Sequence, residues 1–243
     1  MPKAIFVKDL VKEFSKRRAV DGLSLEVDEG EVFGLIGPNG AGKTTTLRVI
    51  ATIIKPTSGQ VTVCGKDVVR ESAEVRRLIS YLPEEAGAYQ NLTGLEYLRF
   101  MASFYYESEE DVEAAVEEGM RIAALGERLK DKSSTYSKGM KRRLQLARAL
   151  MVKPRLAILD EPTSGLDVTH AFQLRRIIKE YAEKNRITVL LSSHNMLEVE
   201  KMCDRVAFIN AGRVVEVGQP SELVSKYRAD TLEEAFMKVV GFA

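Results

Sequence analysis

The octapeptide Gly37-Pro38-Asn39-Gly40-Ala41-Gly42-Lys43-Thr44 constrains this chain more than any other stretch. An apolar run from Glu31 to Ile36 leads into it, and helical spacing follows from Thr44 to Ile54. A strand therefore enters the loop and a helix leaves it, which is the context a P-loop requires. Glycines at this spacing let backbone N–H groups turn inward around phosphate oxygens, where side chains would block them. The helix starting near Lys43 aims the positive end of its dipole at the same anion. Lys43 is expected to reach the β- and γ-phosphates of a nucleotide, and the Thr44 hydroxyl to hold Mg²⁺. Thr45 adds a hydrogen-bond donor for the α-phosphate.

A second pattern complements the first. Leu156-Ala157-Ile158-Leu159 is a short apolar strand that ends in two adjacent acids, Asp160 and Glu161. In a chain with a P-loop, a carboxylate at Asp160 orders the Mg²⁺ shell. Glu161, one step further, faces the γ-phosphate as a candidate general base for the attacking water.

The 243 residues suit one large domain with an inserted part. The first thirty residues alternate at period two through Ile5, Val7, Leu23, Leu25 and Val27, as half-buried strands do. Gln60 to Cys64 alternates again. Residues 85–153 read differently: Thr93-Gly94-Leu95-Glu96 is a capping box, Ser108 opens a second helix, and a third runs from about Ser137. Strands then alternate with helices: Leu156–Leu159, a helix through Leu174 and Ile178, Thr188–Leu191, a hairpin over 206–217, and a final amphipathic helix expected to dock on the chain's own core. This order predicts an α/β fold with a mostly parallel sheet, ligands at the carboxyl ends of its strands, and a helical insert between residues 1–84 and 154–243.

Lysine plus arginine is 36 and aspartate plus glutamate is 35, a net charge of +1 that argues against a global grip on nucleic acid. Cys64 and Cys203 stand apart, and no HxxxH or CxxC spacing offers a zinc site. No apolar run approaches the roughly 18 residues that a membrane span needs. The start Met1-Pro2-Lys3 does not read as a signal peptide, so the expectation is a soluble, cytosolic chain whose membrane role needs a partner.

Further motifs follow in a characteristic order: Tyr136-Ser137-Lys138-Gly139-Met140, then Ser164-Gly165-Leu166-Asp167, then His194 behind the Thr188–Leu191 strand. With the P-loop and the Asp160-Glu161 pair, the chain resembles the ATP-binding subunits of ABC transporters over nearly its whole length. The resemblance implies a P-loop NTPase (RecA-like) core, an N-terminal antiparallel β subdomain and an inserted α-helical subdomain. It implies ATP with Mg²⁺, and a second such subunit in an ATP sandwich. Ser137 and Gly139 then belong to the signature that meets the partner's γ-phosphate, with Ser137 capping a helix whose N-terminus faces the anion. Ser164–Asp167 becomes the D-loop, and His194 the switch histidine. Phe14 stands where the family stacks an aromatic on adenine, and Val20 is expected to line the same pocket.

Two departures stand out. Lys138 and Met140 replace the usual glycine and glutamine of the signature. Tyr81-Leu82-Pro83-Glu84 puts a carboxylate at Glu84 where the family has glutamine, so Glu84 becomes a Mg²⁺ ligand candidate that cannot donate a hydrogen bond while ionised. Lys138, Lys141, Arg142, Arg143 and Arg148 read as a solvated basic helix face near a phosphate. The resemblance implies a separate multi-span permease on the cell membrane, met around Glu85 to Leu98, where Ala86-Gly87-Ala88-Tyr89 is suited to a partner's short helix. The signature variant, Glu84 and the short C-terminus resemble the exporter-type branch. The alternatives are an ABC ATPase uncoupled from transport and a nucleotide-gated binding module.

Overall fold

This computed structural model describes residues 2–15, 17–85, 87 and 89–241. Ala86 and Ala88 of the expected coupling stretch lie outside the described residues.

The chain opens with β1 (Lys3–Phe14), β2 (Arg17–Asp28) and β3 (Val32–Ile36), then α1 (Lys43–Ile50), β4 (Ser58–Val63) and β5 (Lys66–Asp67). Next come α2 (Ser72–Leu78) and β6 (Ile79–Leu82), followed by the α-helices α3 (Gly94–Ala102), α4 (Glu109–Ala123) and α5 (Lys138–Leu150), with two short 3-10 turns between the last two. The last part holds β7 (Leu156–Asp160), α6 (Val168–Asn185), β8 (Thr188–Ser193), α7 (Met196–Met202), β9 (Arg205–Asn210), β10 (Arg213–Gly218), α8 (Pro220–Lys226) and α9 (Leu232–Val240).

Two sheets result, in the orders β2-β1-β4-β5 and β10-β9-β3-β8-β7-β6. The first is antiparallel throughout. In the second, β3, β6, β7, β8 and β9 run parallel and β10 returns antiparallel through a tight turn at Ala211-Gly212, both at positive φ. The central strands are buried on both faces, so they are apolar along most of their length, with the polar residues Asp160, Ser192 and Ser193 at their carboxyl ends. Their alternation splits the core in two. Phe33, Leu35, Leu156, Ile158 and Leu190 pack toward the antiparallel sheet and α1. Ile36, Leu82, Ala157, Leu159 and Phe208 pack toward the helices, including Leu144 of α5 and Ile178 of α6.

The expected helix caps are present. Thr93 and Glu96 exchange capping-box hydrogen bonds, Ser108 accepts from the Asp111 amide, and Ser137 accepts from the Met140 amide at 3.2 Å. The final helix docks on the core, with Phe236 edge-on to Phe208 at 5.2 Å. The first expected helix is shorter than its apolar spacing predicts: α1 stops at Ile50, and Thr52 turns to φ 62. Pro56 keeps the residue before it out of the helical region, so Ile53 and Ile54 belong to the turn. Strand β6 and helix α2 were not read from the sequence. Val75 is the buried residue of α2, and one buried position gives no periodicity.

Candidate functional site

Strand β3 lies between β8 and β9, so the loop after Ile36 rises from the middle of the parallel sheet. Gly37 is required by space, and Gly42 by both space and φ. A Cβ on Gly37 would stand 2.1 Å from the Ile209 carbonyl oxygen, and one on Gly42, at φ 106, would stand 2.5 Å from that of Ala19. Gly37→Ala is therefore expected to push the loop off β9 and to lower stability by about 1–3 kcal/mol with loss of nucleotide binding. Thermal melts with and without nucleotide check this, since the variant should lose the ligand-induced shift as well. No side chain caps α1, so its leading N–H groups face the loop.

Lys43 and Glu161 are buried together at the carboxyl ends of the strands. The Lys43 ammonium donates to the Gly37 carbonyl at 2.7 Å and to that of Pro38 at 3.2 Å, and lies 3.6 Å from Glu161 Oε1. The other Glu161 oxygen, Oε2, is 2.9 Å from His194 Nδ1. Glu161 is only 6% exposed and adopts φ 46, a left-handed conformation that costs a non-glycine residue energy. Such a turn at the end of β7 swings the glutamate out of strand alternation and toward the loop.

Asp160 sits one step back. Its Oδ1 accepts from the Thr44 hydroxyl at 3.0 Å and the Ser192 hydroxyl at 2.6 Å, and its Oδ2 from the Tyr81 hydroxyl at 3.3 Å. Ser192 also accepts from the Glu161 amide at 3.0 Å, so it holds both acids. Burial, followed by the charge of Asp160, pushes the Tyr81 hydroxyl above its ordinary value, and it stays a donor at neutral pH. Sequence reasoning missed Tyr81 and Ser192 as site residues. The parallel register that sets Asp160 beside Ser192 is the signal that could have found the serine.

A cavity of about 510 Å³ opens above this cluster. Phe14, Asn39, Gly40, Gly42, Lys43, Thr44, Thr45, Glu84 and Glu161 line it, joined by Arg17 and Ala19. Phe14 presents a half-exposed ring with the Lys12 ammonium 4.8 Å from its centroid. Val20 does not line the cavity. It is 0% exposed, because the alternation of β2 turns it into the core and leaves Ala19 on the wall. Ala41 is buried beneath the loop, while Gly37 and Pro38 contribute carbonyls to Lys43. Glu84 accepts from the Ser164 hydroxyl at 3.2 Å, which ties it to the 164–167 turn.

Ser137 and Gly139 are not among the residues lining the Lys43 cavity. Ser137 is exposed at the start of α5. Gly139 is covered by the His170 ring, whose Cδ2 lies 2.5 Å from where a Cβ would be. His170 is held in turn by Asp167, the N-cap of α6, at 2.5 Å from Nδ1. His170 thus braces Gly139, a part sequence spacing gave no reason to assign.

The basic face expected on α5 is not uniformly solvated. Arg148 donates to the Tyr81 carbonyl at 2.9 Å. Arg142 is 5% exposed and donates to main-chain carbonyls at the exits of β6 and β7. Burial is the largest influence on it and lowers its pKa to about 10, so it remains charged at neutral pH. Helical spacing cannot separate such an arginine from its solvated neighbours, because docking against the sheet decides which is buried.

These parts match one family. The ABC transporter pattern matches residues 20–164. The chain belongs to the ABC transporter family. It is 37% identical over 225 residues to the linearmycin resistance ATP-binding protein of Bacillus subtilis, a match spanning 93% of this chain and 72% of that protein. It is 38% identical over 216 residues to the bacitracin transport ATP-binding protein of Bacillus licheniformis, across 89% of this chain and 70% of that one. A solved ATP-binding subunit of an ABC transporter superposes with a TM-score of 0.86 at 31% identity, covering 98% of this chain and 99% of its own. This ABC chain is an ATP-binding and ATP-hydrolysing transporter subunit. Among its described residues no helix is long and apolar enough to cross a membrane.

Proposed function

We propose that this ABC subunit pairs head to tail with a second copy or a close relative and drives a separate multi-span permease. The observation that carries the reading is the placement of Glu161 between Lys43 and His194 at the mouth of the loop. Each ATP lies between the Lys43 loop of one subunit and the Ser137 helix N-terminus of the other. The exposure of Ser137, outside its own chain's cavity, supports this division of labour.

The residues act as follows. Phe14 stacks on the adenine, the 37–45 loop holds the phosphates, and Lys43 turns from its loop carbonyls to the β- and γ-oxygens. Glu161 takes the proton of the attacking water, and His194 fixes its carboxylate and meets the γ-phosphate. The hydroxyl of Thr44 and the carboxylate of Asp160 are adjacent hard oxygen donors that fit Mg²⁺, with Glu84 as a third on the cavity wall. When bound with the nucleotide, the ion would neutralise charge on the β- and γ-oxygens. Hydrolysis removes the group held from both sides, and the pair reopens because its differential affinity for the closed state is gone.

The described residues of 85–98, together with the rest of α3, form the permease surface of the insert over 85–153. Tyr89 is 58% exposed and stands edge-on to Phe100, which stands edge-on to Phe104. The direction is export, a reading supported by the resistance and antibiotic-transport relatives. The chain then works on the cytoplasmic face of the cell membrane. Affinity purification from detergent-solubilised membranes tests this: a stoichiometric multi-span partner is expected. Recovery with cytosolic partners alone would overturn the permease reading in favour of an uncoupled ABC ATPase.

A further inference from the structure

Arg142 lies in α5 a little over one turn beyond Ser137, on the element that carries the signature. Its Nε donates to the Pro162 carbonyl at 2.7 Å, its Nη1 to those of Pro83 at 2.8 Å and Glu84 at 3.1 Å, and its Nη2 to those of Asp160 at 3.0 Å and Glu161 at 2.9 Å. All five acceptors are backbone oxygens. They come from two segments, the exits of the neighbouring strands β6 and β7. The ladder of β7 with β8 ends at Asp160, so the carbonyls beyond it need other partners. Three consecutive carbonyls converge on one guanidinium across the left-handed turn at Glu161. That convergence is what a buried, fully charged arginine is suited to hold.

We infer that Arg142 is a positioning residue for hydrolysis: it holds the turn that aims Glu161 into the cavity and ties that turn and the Glu84 loop to the signature helix. The inference rests on the reading of Glu161 as the base and extends it. Motion of α5, which carries the surface offered to the other subunit, is then transmitted to the base of its own site through one side chain. A lysine cannot replace it. A single nitrogen with three donors cannot span two segments, whereas the planar guanidinium presents five N–H groups. Nucleotide contacts through Phe14 and the 37–45 loop do not pass through Arg142, so binding and turnover should separate.

The test compares Arg142→Lys and Arg142→Gln with Glu161→Gln in the full chain, measuring kcat, KM, affinity for a fluorescent ATP analogue and the melting curve. Arg142→Lys is expected to lower kcat by about tenfold or more, with KM and analogue affinity within about twofold of wild type. The Arg142→Lys/Glu161→Gln double variant is expected to be no slower than Glu161→Gln alone, since the arginine acts through the glutamate. If Arg142→Lys or Arg142→Gln keeps the wild-type kcat per folded molecule while Glu161→Gln is inactive, the positioning role is overturned and the base survives. A multiplicative loss in the double variant also overturns it. If Glu161→Gln itself turns over normally, the base reading fails first.

Discussion

Glu161→Gln is expected to lower phosphate release by about 10²–10⁴ while ATP still binds. The amide keeps the size of the carboxylate and occupies the same left-handed turn, so the cavity keeps its shape. It cannot take the proton from the attacking water. Glu161 is buried between the Lys43 ammonium and His194, and the amide retains a polar group for both. Single-turnover phosphate release checks the chemistry separately from product release, and equilibrium binding should change by less than about threefold, under 1 kcal/mol. Equal loss of binding and turnover would mean that the residue holds nucleotide and is not the base.

Lys43→Ala should fail at the earlier step. Charge-assisted hydrogen bonds contribute about 1.5–3 kcal/mol each, so ATP affinity should fall by roughly ten- to a hundredfold. The same change removes the Lys43 cation from beside the buried Glu161 carboxylate and leaves it His194 as its side-chain partner, and a buried charge that loses a counter-ion is costly. The melting temperature should fall as well, before any nucleotide is added. Titration calorimetry and a thermal melt read the two effects apart. Wild-type affinity in Lys43→Ala would show that the backbone cradle alone supplies the binding energy.

Much of this site was legible because its signals are local. A loop such as 37–44 carries its own geometry, and a cap such as Thr93 with Glu96 declares itself within four residues. The acids at 160 and 161 could be read from an apolar strand and its end. Less was legible where a neighbour in space decides the outcome. Val20 and Ala19 differ by one step of strand alternation, and register alone settles which lines the cavity. Arg142 looks like Lys141 and Arg143 in sequence, and becomes a buried clamp only when α5 packs on the exits of β6 and β7. His170 had no motif to recommend it, and its contact with Gly139 depends on where α6 begins. Glu84 is a departure from the family pattern that the sequence shows directly. Its hydrogen bond to Ser164 is a tertiary contact between loops eighty residues apart.

The pairing of two chains around ATP is tested most directly by the mass of the Glu161→Gln protein in solution, measured by light scattering with and without ATP. A shift from one chain to two on adding ATP, with one nucleotide bound per chain, is the result this account predicts. A protein that binds ATP and remains a single chain under the same conditions, together with any partner subunit it needs, would contradict it.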